Sequence, residues 1–341
     1  MLRLISTEKV DFVNVVLMLL ALVVALVIPF ELFLFSYAVL GPLHYLTEIS
    51  WLHDRNYFTK GKYDIVFLLL IGLIAAFMFF NSVYQLGAPI TLEMNARLVW
   101  VGVLAALMFV LVKNNMSKIV GLVLIILTSQ LSMYFWVILL LFLPTLLHVY
   151  VFTGLFILNG ALKSKSKWGF MSFFLLLLSP LLLYVLLPGS SLINVTAYGQ
   201  SAYIGGDQFL GIVTFHIHAL EQYFDFEMAS PLSEQWMQQI FVSKEGVWIG
   251  RFIAFAYTYH YLNWFSKTEV IRWYKISKMR WFFIALIWIG SIGLYAYDYV
   301  VGIVWLFLLS YVHVLFELPL NFVSMLGIGS SLKNKLLNIK T

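Results

Sequence analysis

Seven histidines occur in this chain: His44, His53, His148, His216, His218, His260 and His313. Most fall inside long apolar stretches, and only His53 stands at the end of one. Imidazoles and carboxylates at membrane depth are costly to bury, and by default they mark function. Three of these histidines come with a carboxylate at helical spacing. His44 and Glu48 stand four apart in GPLHYLTE, His313 and Glu317 four apart in YVHVLFELP, and His218 and Glu221 three apart in FHIHALE. Residues three or four apart share one helix face. Each segment therefore offers an imidazole and a carboxylate side by side, the device by which bundle proteins hold two irons between facing helices. Nitrogen and oxygen donors suit iron, manganese or zinc better than copper(I). The candidate metal ligands are His44, Glu48, His218, Glu221, His260, His313 and Glu317, with non-haem iron as the expected cofactor and another divalent metal as the alternative.

Each position also has a plainer explanation. An intramembrane histidine often only hydrogen-bonds a neighbouring helix, and for His148, alone in LLHVY, this weighs as much as ligation. His53, followed by Asp54 and Arg55, reads as an interfacial residue with capping or topology neighbours. His260 in YTYHYLNWF competes with an aromatic belt at a span end, although Asn263 and Trp264 can support a ligand there. His216 and His218 point about 200° apart on a helix, so one of them faces away from any metal. One His–carboxylate pair would be an ordinary hydrogen bond. Three of them, in a chain with 16 acidic residues mostly in loops, point to a shared site.

The elements that must position these groups follow from composition. Hydrophobic residues make up 62% of the 341 and charged residues 11%, and mean hydropathy is +0.93. A soluble domain carries about 25% charged residues, so the solvent of this chain is lipid. Only helices and closed barrels satisfy their backbone there, and apolar runs of roughly 20 residues exclude a barrel. The expected fold is an all-α polytopic transmembrane bundle of about ten spans, forming one integral membrane domain over 1–341. The spans are expected at 11–29, 31–51, 64–81, 96–112, 118–131, 133–162, 168–187, 247–265, 281–297 and 299–325. The first run is too long for a signal peptide and no small-residue cleavage site follows it. The absence of cysteine excludes disulfides, thiolate metal sites, iron–sulfur clusters and a cysteine nucleophile.

Loop charge sets the orientation. Lys60 and Lys62, Lys113 and Lys118, Lys163 to Lys167, Lys267 to Arg280, and the tail from Lys333 to Lys340 all fall on one side if both termini are cytoplasmic. The basic residues thus serve membrane orientation, as in a bacterial inner membrane, and no nucleic-acid partner is expected. The segment 207–224 breaks this pattern if it spans, so it is expected to be a re-entrant or interfacial helix within an outer-surface element at 207–246. His216 and His218 then enter from the outer side, whereas His44, His148, His260 and His313 lie in the cytoplasmic half.

Several chemistries are absent: no glycine-rich phosphate loop, no G-x-S-x-G elbow, no D-x-x-x-D prenyl-transferase motif and no tight H-x-x-H-H desaturase boxes. The aromatic content of 18% can line a tunnel for a long apolar substrate, although packing and interface anchoring account for most of these residues. In GPLHYLTEISWLHD and YHYLNWFS, the placement of Pro42, His44 and His260 resembles the bacterial and archaeal membrane enzymes that cleave β-carotene to retinal. Tyr45 stands where that family has glycine, and His260 falls earlier than the family's late histidine. The resemblance implies a helical bundle with histidine-ligated non-haem iron. The function expected is a metal-dependent membrane oxygenase or oxidoreductase acting on an apolar lipid or carotenoid, with membrane lipid and that substrate as partners. A proton-coupled transporter using buried His/Glu pairs is the alternative, and a haem protein with paired axial histidines is a third possibility.

Overall fold

The computed structural model describes residues 7–87, 91–129, 143–186, 194–205, 214, 229–230 and 233–339. Every element among them is helical. In chain order these are α1 (Thr7–Val27), α2 (Pro29–Phe35), α3 (Gly41–His53), α4 (Asp64–Tyr84), α5 (Leu92–Leu111), α6 (Asn115–Thr128), α7 (Thr153–Ser164), α8 (Lys167–Val185), α9 (Ala197–Gly205), α10 (Glu234–Phe241), α11 (Lys244–Ser266), α12 (Thr268–Ile271), α13 (Lys278–Tyr297) and α14 (Tyr299–Ile339). A π-helical turn, Ser36–Leu40, joins α2 to α3, and a π-helical stretch, Leu143–Phe152, leads into α7.

Among the described residues, eight helices are long and apolar enough to cross a membrane, with α2 and α3 counted together as Pro29–His53. Two of the ten expected spans fall outside this set. The helix at 118–131 is found as α6, with 14 residues, too short by itself. The helix at 247–265 is found as α11, whose Arg251, His260, Asn263 and tyrosines lower its hydropathy. Apart from Thr214, the segment 207–224 lies outside the described residues, and with it His216, His218 and Glu221.

The helices form two compact units. The first comprises Met1–Pro42, Ser166–Arg272 and Ala285–Ile303. Its axis is α11, buried on every face, against which α1, α2 and α8 pack. A helix buried all round needs no lipid-facing stripe, and its polar groups are met by its neighbours. Arg251 Nε donates to Leu26 O at 3.2 Å, Ser36 Oγ and Thr258 Oγ1 share a hydrogen bond of 2.6 Å, and Ser266 Oγ donates to Asn14 Oδ1 at 2.8 Å.

The second unit comprises Leu43–Lys165, Trp273–Ile284 and Val304–Thr341. Here α4 packs on α5, and α5 on α6. Glycines admit α14 to this layer: a Cβ on Gly72 would lie 2.9 Å from Val312 Cγ2, and one on Gly102 would lie 2.9 Å from Leu315 Cδ2. Small residues allow close helix approach in a membrane bundle, and these two bring the stretch carrying His313 against α4 and α5. At one end of the unit, the buried ammonium of Lys118 donates to Asp64 Oδ1 at 2.7 Å, which ties the start of α6 to the start of α4.

Candidate metal centre

Two proline-marked irregularities and one uninterrupted helix position the polar groups. Pro42 has no N–H to give the turn before it. That turn is π-helical, with the N–H of Gly41 reaching back to Ser36 O. Beyond it α3 runs regularly and places His44 and Glu48 on one face. His148 sits in the π-helical stretch that begins beside Pro144. π-Helical turns are rare and are frequent at functional sites. On α14, His313 and Glu317 again share a face. Pro319 follows two residues later inside the helix and cannot donate to the carbonyl of Leu315.

Within the second unit these segments converge. His313 Nε2 lies 3.0 Å from Glu48 Oε2, and His44 Nε2 lies 3.2 Å from the same oxygen. The donor atoms of His44, Glu48 and His313 all fall within 4.8 Å of one another. Glu317 Oε2 stands 3.5 Å from His313 Nε2 and 3.5 Å from His148 Nδ1. The rings of His44 and His313 have centroids 4.7 Å apart, those of His148 and His313 5.2 Å. All five side chains are buried, His313 completely. The ring of Tyr45, itself buried, tilts over His313 with centroids 4.8 Å apart. Tyr45 thus walls one side of the site.

These distances decide what the cluster can do. Donors bound at about 2.0–2.2 Å to one ion stand about 3–3.5 Å from each other, and the separations of 3.0, 3.2 and 3.5 Å match that spacing. Two carboxylates taken out of water need positive charge beside them, and imidazoles stand within 3.5 Å of both Glu48 and Glu317. His44, Glu48 and His313 can hold a metal ion, with His148 and Glu317 as the adjoining donors.

The ligands expected from α3 and α14 are therefore brought together across 265 residues of sequence. His148, equally weighed between ligation and a structural role, belongs to the cluster. The only sequence signal for it was its depth, shared with His44 and His313. His260 is buried on α11 of the first unit, beside buried Asn263 and Trp264. His53 stays outside the cluster. Its Nδ1 lies 3.3 Å from Asp54, and Asp54 pairs with Arg280. No protein-family model, no curated protein and no solved structure matches the chain, so its function is read from this cluster alone.

Proposed function

We propose that the chain is a membrane-embedded, metal-dependent oxygenase or oxidoreductase acting on an apolar lipid or isoprenoid such as a carotenoid. In this reading non-haem iron is held by His44, Glu48 and His313, with His148 and Glu317 as further donors. One observation carries the proposal: two His-x-x-x-Glu pairs from opposite ends of the chain meet at a buried point with ligand-like spacing. His44, Glu48 and His313 would hold the metal, which would supply a redox-active centre for oxygen chemistry. The protein's own residues do the rest. Imidazoles donate nitrogen lone pairs, the two carboxylates balance the cation's charge, and the Tyr45 ring and the surrounding helices keep water away. The lipid-facing apolar surfaces of the spans make lateral entry of a hydrophobic substrate the natural route.

The test is oxygen consumption by iron-supplemented protein in detergent, given a long apolar polyene. The proposal expects substrate-dependent uptake that Glu48→Gln reduces by at least about a hundredfold, the scale of losing a group that acts in the chemical step. Uptake unaffected by that substitution counts against it.

A proton-coupled transporter is the second reading, favoured by a different aspect of the same geometry. The contacts from Glu48 through His313 and Glu317 to His148, none longer than 3.5 Å, form an unbroken row of proton-exchanging groups. Proton-driven uptake into liposomes by metal-free protein would select it over the enzyme.

A further inference from the structure

Between α3 and α4 the chain turns in a way that backbone preferences oppose. Asn56, Tyr57 and Phe58 have positive φ, at 49°, 52° and 57°. Asparagine tolerates this region, whereas the Cβ of a tyrosine or phenylalanine crowds the following carbonyl there. Packing holds them in place. The Tyr57 ring meets Phe316 edge-on with centroids 5.0 Å apart, and the Phe58 ring lies 5.8 Å from Trp51. Strain of this kind persists where surroundings over-determine it, and it clusters at ligand sites.

The turn borders a half-open cavity of about 460 Å³, lined by His53, Asn56, Tyr57, Thr59, Lys60 and Lys62 together with Gly61 and Ile65. That volume lies within the range of small-molecule sites. The lining carries two lysines, and the nearest carboxylates in sequence, Asp54 and Asp64, border it but are each already paired with a cation. Asp54 accepts from Arg280 Nη1 at 2.8 and 2.9 Å. Asp64 accepts from Lys118 Nζ at 2.7 Å and from the N–H of Gly61 at 2.7 Å. Lys60 gives one N–H to Leu111 O at 2.7 Å, which fixes its ammonium and leaves two donors. The cavity opens where the Pro29–His53 span ends, the level at which lipid headgroups meet a bundle.

We infer that this cavity binds a phosphate group. Two lysine ammonium groups, an asparagine amide and a tyrosine hydroxyl suit phosphate oxygens, while the Thr59 hydroxyl braces the turn by donating to Asn56 O at 3.1 Å. Juxtamembrane lysines are the usual means of attracting anionic headgroups. The phosphate comes either from an anionic lipid or from solution. This inference does not depend on what the metal cluster does.

The full chain, reconstituted in phosphatidylcholine nanodiscs containing a minor fraction of phosphatidic acid, is analysed by native mass spectrometry for retained lipid. Inorganic phosphate is offered separately, with thermal unfolding as the readout. We expect preferential retention of phosphatidic acid, reduced at least about tenfold in Lys60→Ala/Lys62→Ala and about fivefold in Lys62→Ala alone. The single variant keeps the Lys60–Leu111 bond, and its unfolding midpoint, measured alongside, separates lost binding from lost folding. Lys163→Ala/Lys165→Ala removes equal charge from another loop and should change retention less than about twofold. Stabilisation of the wild type by inorganic phosphate, absent in Lys62→Ala and without lipid preference, supports a phosphate site filled from solution. Equal loss in the Lys163/Lys165 variant, or no response to either phosphate source, overturns the inference.

Discussion

Glu48 is the residue on which the cluster turns, because its Oε2 lies within 3.2 Å of both His44 Nε2 and His313 Nε2. Glu48→Gln keeps the shape and removes the anion. We expect it to lower stability by about 1–3 kcal/mol, the scale of disturbing a buried polar group, and to abolish the response to chelators. Thermal unfolding in detergent reads both: a chelator should lower the midpoint of the wild type and leave the variant unchanged, because only a bound ligand stabilises by linkage. Asp54 is the surface counterpart. The Arg280 guanidinium bonded to it holds its carboxyl below its ordinary value of 3.8, with a smaller pull from His53 and with burial opposing. Because the folded value is the lower one, this stabilisation is complete above the unfolded value and is lost as pH falls through the folded one. Both partners are more than a third exposed, so its size is under about 1 kcal/mol. The midpoint difference between wild type and Arg280→Gln should stay constant above about pH 5 and narrow below about pH 4. The pairing of His44 with Glu48 and of His313 with Glu317 was legible in sequence, because spacing of four on a helix is a geometric fact. His148 was not, because a lone histidine carries no spacing signal and its π-helical surroundings leave no mark in hydropathy.

At the scale of elements, the Lys118–Asp64 pair joins α6 to α4, and both side chains are more than nine-tenths buried. Removing one partner strands the other charge. Lys118→Met should therefore cost about 3–5 kcal/mol, and Asp64→Asn/Lys118→Met should recover much of that. Unfolding measured for the two single variants and the double variant gives the comparison, and a double variant as unstable as the sum of the singles would argue against the pair. Helix positions were readable because apolar runs end at charge and glycine: the expected 64–81 and 281–297 became Asp64–Tyr84 and Lys278–Tyr297. Helix α11 shows where this reasoning weakens. It was found at the expected place, yet hydropathy alone does not single it out. A helix covered by α1, α2 and α8 can carry Arg251 and Asn263 that a lipid-facing helix could not. Sequence gives no direct sign of which helices are covered, since coverage is a property of the partners.

At the scale of the molecule, eight membrane-length helices among the described residues agree with an integral membrane protein, and the side on which each loop lies is read from charge. The chain has no cysteine, so single-cysteine variants need no altered background. With Lys62→Cys, Lys113→Cys, Lys165→Cys and Lys275→Cys in sealed inverted vesicles, an impermeant maleimide should label all four from the same side, the cytoplasmic one. Labelling of position 275 opposite the others would mean that the segment 207–224 spans. The most direct test of the central claim is the metal content of the purified full chain, expressed in iron-supplemented medium and measured by plasma mass spectrometry against protein concentration. The metal-centre account expects about one or two ions per chain, with iron predominant, reduced at least about tenfold in His44→Ala and in His313→Ala although both variants remain folded. A metal-free wild type, or metal content unchanged by both substitutions, would contradict it and leave the buried histidines and glutamates as a proton relay.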